Sequence, residues 1–143
     1  MGDVIKVFPV RSSRHEKPVP LRMYFDSGSP YTFIRMAAAR RFRGLSTLPE
    51  PMDFAGLGEG RFYASHGLFF EVRLLIHWCR HSAYVVDDEI LAEDYDVLVG
   101  HDFMQKFNVG LSPKKRDVVL DPSSLRLAQT VRRTLALGAA AGS

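Results

Sequence analysis

Asp26-Ser27-Gly28 sets a carboxylate, a hydroxyl and a glycine in direct succession at the end of the apolar run Met23-Tyr24-Phe25. A strand that ends this way delivers a carboxylate into a tight turn, because glycine lets the backbone fold back without a side-chain clash. A carboxylate so presented can serve acid–base chemistry. The same tripeptide also makes ordinary turns, so its meaning depends on what else the chain carries. A second segment spans Asp96 to Asn108. There Val97, Leu98 and Val99 form a short apolar run that ends at Gly100, and Asp102 is expected to cap an amphipathic turn with Phe103, Met104 and Phe107 on its apolar side. Between the two lies Phe54-Ala55-Gly56-Leu57-Gly58-Glu59-Gly60-Arg61-Phe62. Three glycines at alternate positions suit a mobile β-hairpin tip, a plain surface turn being the simpler alternative.

Three further groupings contain chemically capable residues. His77, Cys79 and His81 would share one face of a straight strand, as zinc donors can, but no fourth ligand is apparent and the segment is expected to turn. Ser65, His66 and Asp53 have the residue types of a hydrolytic triad without the strand–turn–helix context of a nucleophile. Asp87, Asp88, Glu89, Glu93, Asp94 and Asp96 lack the glycine and spacing of a calcium loop and read as a solvated acidic loop. No metal and no cofactor are expected.

An apolar run followed by Gly-x-Asp and an apolar pair, about seventy residues after Asp-Ser-Gly, resembles the retropepsin family, the single-domain aspartic proteases of retroviruses and their cellular and bacterial relatives. The resemblance covers residues 20–121, and the segment from Gly56 to Gly60 falls where the family carries its flap. It implies a mostly β, closed β-barrel-like retropepsin (acid protease) fold with one or two short helices. It also implies a catalytic role for Asp26, supported by three residues. Ser27 matches the hydroxyl that hydrogen-bonds across the dimer. Gly28 matches the glycine that leaves room for substrate backbone, and Gly100 the glycine that packs on the active-site loop. Gly56, Leu57, Gly58, Glu59 and Gly60 would form the flap and touch the substrate.

Peptide hydrolysis by this route needs two carboxylates sharing one proton, one activating water and one polarising the scissile carbonyl. The chain has a single Asp-Ser-Gly and no internal repeat, so the reading requires a homodimer in which Asp26 of each copy meets at a two-fold axis. Pro30 and His101 stand where retroviral enzymes have an acidic residue and its cross-dimer arginine. The dimer is therefore expected to be held differently, by strands near Val4–Val10 or Val118–Leu120, or by the C-terminal segment. The rival reading is a catalytically inactive retropepsin-like dimerisation or peptide-binding module.

The elements that would position these residues follow from the pattern. Val4 to Val10 alternates as a strand, Leu21 to Phe25 is the strand that delivers Asp26, and Tyr31 to Ile34 is extended. Met36 to Phe42 reads as a short helix, and Gly44 to Pro51 as a proline-bearing break. Phe70, Val72, Leu74 and Ile76 are expected on one buried face, with Glu71 and Arg73 outside. His77 to Arg80 reads as a hairpin connection, and Ser82 to Val86 and Val118 to Leu120 as strands. Residues 1–125 are assigned to the protease-like domain and 126–143 to a C-terminal extension, with a short helix at Thr130 to Leu137 and a disordered tail.

The totals agree with one domain: 143 residues, 46% hydrophobic, 24% charged. The net charge of +3 comes with dispersed basic clusters, so nucleic acid is not an expected partner; a peptide or protein substrate is. A lone cysteine, Cys79, excludes an internal disulfide and fits a reducing compartment. No apolar stretch has the length of a membrane span, and no secretory signal is seen, so the expected location is cytoplasmic, away from membrane.

Overall fold

The computed structural model describes residues 3–56 and 60–128. Strand β1 (Val4–Arg11) pairs antiparallel along its length with β2 (Val19–Phe25). In β2, Leu21, Met23 and Phe25 are buried while Arg22 is exposed, the period of two that a one-sided strand requires. Next to β2 runs β7 (Val97–Val99), parallel to it and buried at all three residues. On its other side β7 pairs antiparallel with β3 (Phe33–Arg35), and β3 pairs parallel with β6 (His77–Val86). Strand β6 is the antiparallel partner of the long β5 (Arg61–Leu74). Strand β5 returns to β1 through Val10↔Val72 and Arg11↔Glu71. Six strands thus close into a barrel, and β4 (Leu45–Ala55) is added outside it on β5. A second small sheet joins β8 (Gly110–Ser112) to β9 (Asp117–Val119).

Short helical segments complete the described core. Helix α1 (Met36–Ala39) buries Ala38 and Ala39, and the distant Asp88 carboxylate accepts a hydrogen bond from its Ala37 amide at 2.9 Å. Helix α2 (His101–Lys106) and the residue after it place Phe103, Met104 and Phe107 in the main core, beside Phe70, Val72 and Leu74 of β5. Residues 122–128 are also helical, and Leu125 is fully buried in the same core. Each fully buried side chain of this kind contributes roughly 1.5–3 kcal/mol. A smaller cluster unites Phe33, Phe54, Phe62, Tyr95 and Leu98 on the side of the barrel where Asp26 emerges. No helix among the described residues is long and apolar enough to cross a membrane.

Several local expectations are corrected. The segment from Gly44 to Pro51 is not a break, because β4 runs through it. Its register on β5 shifts between Thr47 and Met52, where Pro49 and Pro51 fall, and an outer strand tolerates residues without amides. His77 to Arg80 belongs to β6, and the connection is the two-residue turn Leu75–Ile76, with Leu75 at φ 57°. Ile76 is therefore 78% exposed at the turn rather than buried with Leu74. Glu71 is only 5% exposed, since Arg11 and Arg80 each bond it at 3.0 Å. Gly100, not Asp102, occupies the N-cap of α2. The helix at Met36 ends at Ala39 and continues only as a turn, and the last strand is Asp117–Val119. Leu57, Gly58 and Glu59 of the expected flap tip, the helix expected at 130–137 and the tail lie outside the described residues.

Candidate active site

Asp26 follows the last residue of β2 and continues its pairing with β7, donating its amide to the Val99 carbonyl at 2.9 Å. The chain then turns back at once. Gly28 donates its amide to Asp26 Oδ1 at 2.9 Å, and Ser29 donates to the Asp26 carbonyl at 3.1 Å. This aspartate-anchored turn fixes the carboxylate over its own backbone. A Cβ on residue 28 would lie 3.2 Å from Asp26 Oδ1, so glycine keeps that oxygen approachable. Ser27 is exposed at the crest of the turn. Asp26 enters none of the ion pairs among the described residues.

Because β7 is inserted between β2 and β3, its end meets the loop that joins them. Gly100 stands there with extended backbone, so the need for glycine is one of space. A Cβ on it would lie 2.2 Å from the Tyr31 carbonyl oxygen and 2.8 Å from that of Ser29. His101 donates its amide to the Ser29 carbonyl at 2.7 Å. The Gly100 amide donates to Thr32 Oγ1 at 3.1 Å, and Thr32 Oγ1 donates to Asp102 Oδ1 at 2.7 Å. Asp102 Oδ2 lies 3.0 Å from His81 Nε2. Burial alone would raise the Asp102 carboxyl, but the hydrogen bonds from His81 and Thr32 outweigh it and hold the group below the ordinary carboxylate range.

Asp26 and Gly28 open onto a cleft of about 360 Å³. Its apolar wall is Tyr31, Phe33, Phe54 and Phe62, with Phe54 stacked on Phe62 at 5.4 Å and edge-on to Phe33 at 5.1 Å. The hairpin of β4 and β5 supplies Phe54 and Phe62 to this wall. Gly56 and Gly60 at its end have φ of 105° and 87°, values open to glycine at no steric cost. Asp53 also lines the cleft and pairs with Arg61 at 3.6 Å. On the other side of Asp26, burial and the negative charges of Asp3 and Asp26 push the Tyr24 hydroxyl up to about 12.

Asp26, Ser27, Gly28 and Gly100 are therefore brought together, and Gly56 borders the same cleft. The other groupings disperse. Cys79 is buried in the barrel core and His81 is engaged by Asp102, so neither meets His77 in a three-donor cluster among the described residues. Ser65 Oγ lies 3.0 Å from its neighbour His66 Nδ1, while Asp53 is turned to Arg61. Asp88 and Asp96 of the acidic segment serve α1 and the arginines Arg22 and Arg35. The sequence gives no site role to Thr32, Tyr31 or Phe33, and it offers His81 only as a zinc donor and Phe54 and Phe62 only as part of the flap segment. Thr32 and His81 find Asp102 only through the folded chain, and no local spacing announces them.

No protein-family model matches the sequence, and no curated protein does. Solved structures do. The retroviral protease-like domain of Ddi1 from Leishmania major aligns at TM-score 0.57 and 18% identity, over 83% of this chain and 90% of that one. EIAV protease, complexed with the inhibitor HBY-793, aligns at TM-score 0.54 and 13% identity, over 78% of this chain and 93% of that one. The chain has the retropepsin-like fold.

Proposed function

We propose that the chain is an aspartic endopeptidase that acts as a homodimer, with Asp26 of each copy forming the catalytic pair. The observation that carries this reading is the setting of Asp26. A carboxylate on a glycine turn, in no ion pair among the described residues and with Gly100 packed against the same loop, opens onto a cleft lined by a glycine-ended hairpin. One carboxylate cannot be base and acid at once, so the chemistry requires a second copy. Two Asp26 groups about 3 Å apart would share one proton. The ionised one takes a proton from water as the water oxygen attacks the peptide carbonyl, and the protonated one gives its proton to the carbonyl oxygen. The C–N bond then breaks as the amine takes the proton drawn from water, and a hydroxyl of the tetrahedral intermediate returns a proton to the second carboxylate. Ser27, exposed beside Asp26, would bond across the axis. Val7 on β1 and Val119 on β9, 59% and 54% exposed, are apolar surface available to the dimer contact.

The substrate would lie extended below the β4–β5 hairpin as an added strand, with an apolar side chain against Tyr31, Phe33, Phe54 and Phe62. The test is cleavage of an unstructured protein by the wild type and by Asp26→Asn. Turnover at mildly acidic pH that the substitution abolishes supports the reading. A folded wild-type dimer that binds such a protein without cutting it would favour the binding-module alternative.

A further inference from the structure

We propose that His81 is a positioning residue for the Asp26 loop, acting through Asp102 and Thr32; this rests on the reading of Asp26 as the catalytic group. Four separate elements meet in the relay: β6 supplies His81, α2 supplies Asp102, the segment before β3 supplies Thr32, and the end of β7 supplies Gly100. Its direction is set by what each group can do. An ionised carboxylate only accepts, so the ring nitrogen 3.0 Å from Asp102 Oδ2 carries the hydrogen. Asp102 Oδ1 accepts the Phe103 amide at 2.8 Å and the Thr32 hydroxyl at 2.7 Å. With its hydrogen committed to Asp102, the Thr32 oxygen presents lone pairs to the Gly100 amide. Thr32 is fully buried, so water does not substitute for either bond.

The far end of the relay is the point at which backbone meets backbone. Gly100 has no space toward Tyr31 and Ser29, so a shift of Gly100 displaces the loop that holds Asp26. The near end is held by shape. The His81 ring stands edge-on to Phe70 and Phe103, with centroids 6.2 Å and 5.3 Å away, and its side chain is 11% exposed. His81 is not among the residues that line the cleft, so its influence on turnover is indirect, and a variant that keeps the ring separates the bond to Asp102 from the packing on Phe70 and Phe103.

His81→Phe keeps a ring between Phe70 and Phe103 and removes the donor, while His81→Gln keeps an N–H that can reach Asp102. Two quantities are read in the full chain: amide hydrogen exchange at Gly100, and kcat and KM separately on an unstructured protein substrate. In the Phe variant, Gly100 protection falls about tenfold and kcat falls about tenfold with KM within about twofold; the Gln variant restores most of both. The exchange measurement needs no turnover. Protection lost in the Phe variant of a protein whose wild type does not cleave supports the relay and removes the catalytic reading instead. Should His81→Phe not fold, Thr32→Val breaks the next link and must show the same loss at Gly100. Wild-type protection and wild-type kcat in a folded His81→Phe or Thr32→Val protein overturn the proposal.

Discussion

Gly100 and Asp26 divide the work of the site between shape and charge. Adding one methyl at residue 100 drives a Cβ to 2.2 Å from the Tyr31 carbonyl oxygen, and a backbone atom cannot swing aside as a side-chain tip can. Gly100→Ala is expected to destabilise the protein by roughly 1–3 kcal/mol and to lower kcat, measured by urea unfolding and by proteolysis assay. Asp26→Asn keeps the shape and removes the proton, so it abolishes hydrolysis and leaves the thermal midpoint equal or higher, since the repulsion between two carboxyls is relieved. Asp96 carries a different role. Burial alone would raise its carboxyl, but the hydrogen bonds from Arg22 and the charges of Arg22 and Arg35 outweigh this and hold it below its ordinary value of 3.8. A carboxyl so lowered stabilises the fold above its unfolded value, and the contribution is lost as pH falls through the folded value. The thermal midpoint should therefore drop on acidification from about pH 5 downward, and drop less in Asp96→Asn, which has no proton to bind.

The β4–β5 hairpin and the β5–β6 turn show what glycine does and what its absence conceals. Gly56 and Gly60 both have positive φ, which a β-branched residue adopts only with strain. Gly56→Val with Gly60→Val should impair turnover more than thermal stability; unchanged kinetics would mean that another segment covers the substrate. At Leu75 the same backbone region is filled by leucine, 49% exposed, at the first position of a two-residue turn where glycine is preferred. Leu75→Gly should raise stability by about 0.5–1 kcal/mol, read as an upward shift in the urea midpoint. That leucine also hides the turn in the sequence: Leu74, Leu75 and Ile76 read as continuous strand, which puts the expected connection two residues late. Prolines 49 and 51 hid β4 for the converse reason, since they announce a break that an outer strand can absorb. The Asp26 turn is legible because it depends on local residue types in succession, whereas the packing of Gly100 on that loop is implied only by the family resemblance, since Tyr31 and Ser29 are far from it in the chain. The relay through His81 depends on which strands become neighbours, and β6 reaches α2 only when the barrel closes.

For the whole molecule, a mostly β domain follows from many short apolar runs separated by turns, while the closed barrel is implied only by the family resemblance and the long-range order of pairing is not written in any local run. Strand β7 lies between β2 and β3, which precede it by many residues, so the site rests on pairings of large sequence separation. One barrel offers one Asp26. If two barrels make the enzyme, specific activity falls on dilution through the dissociation constant of the dimer, which light scattering reports independently. The most direct test of the account is a mixed dimer, co-expressed with two tags and purified as the heterodimer, in which one subunit is wild type and the other carries Asp26→Asn. With base and acid on different chains, it should be essentially inactive on an unstructured protein substrate. Half of the wild-type activity would mean that each subunit works alone, and the shared pair would be contradicted.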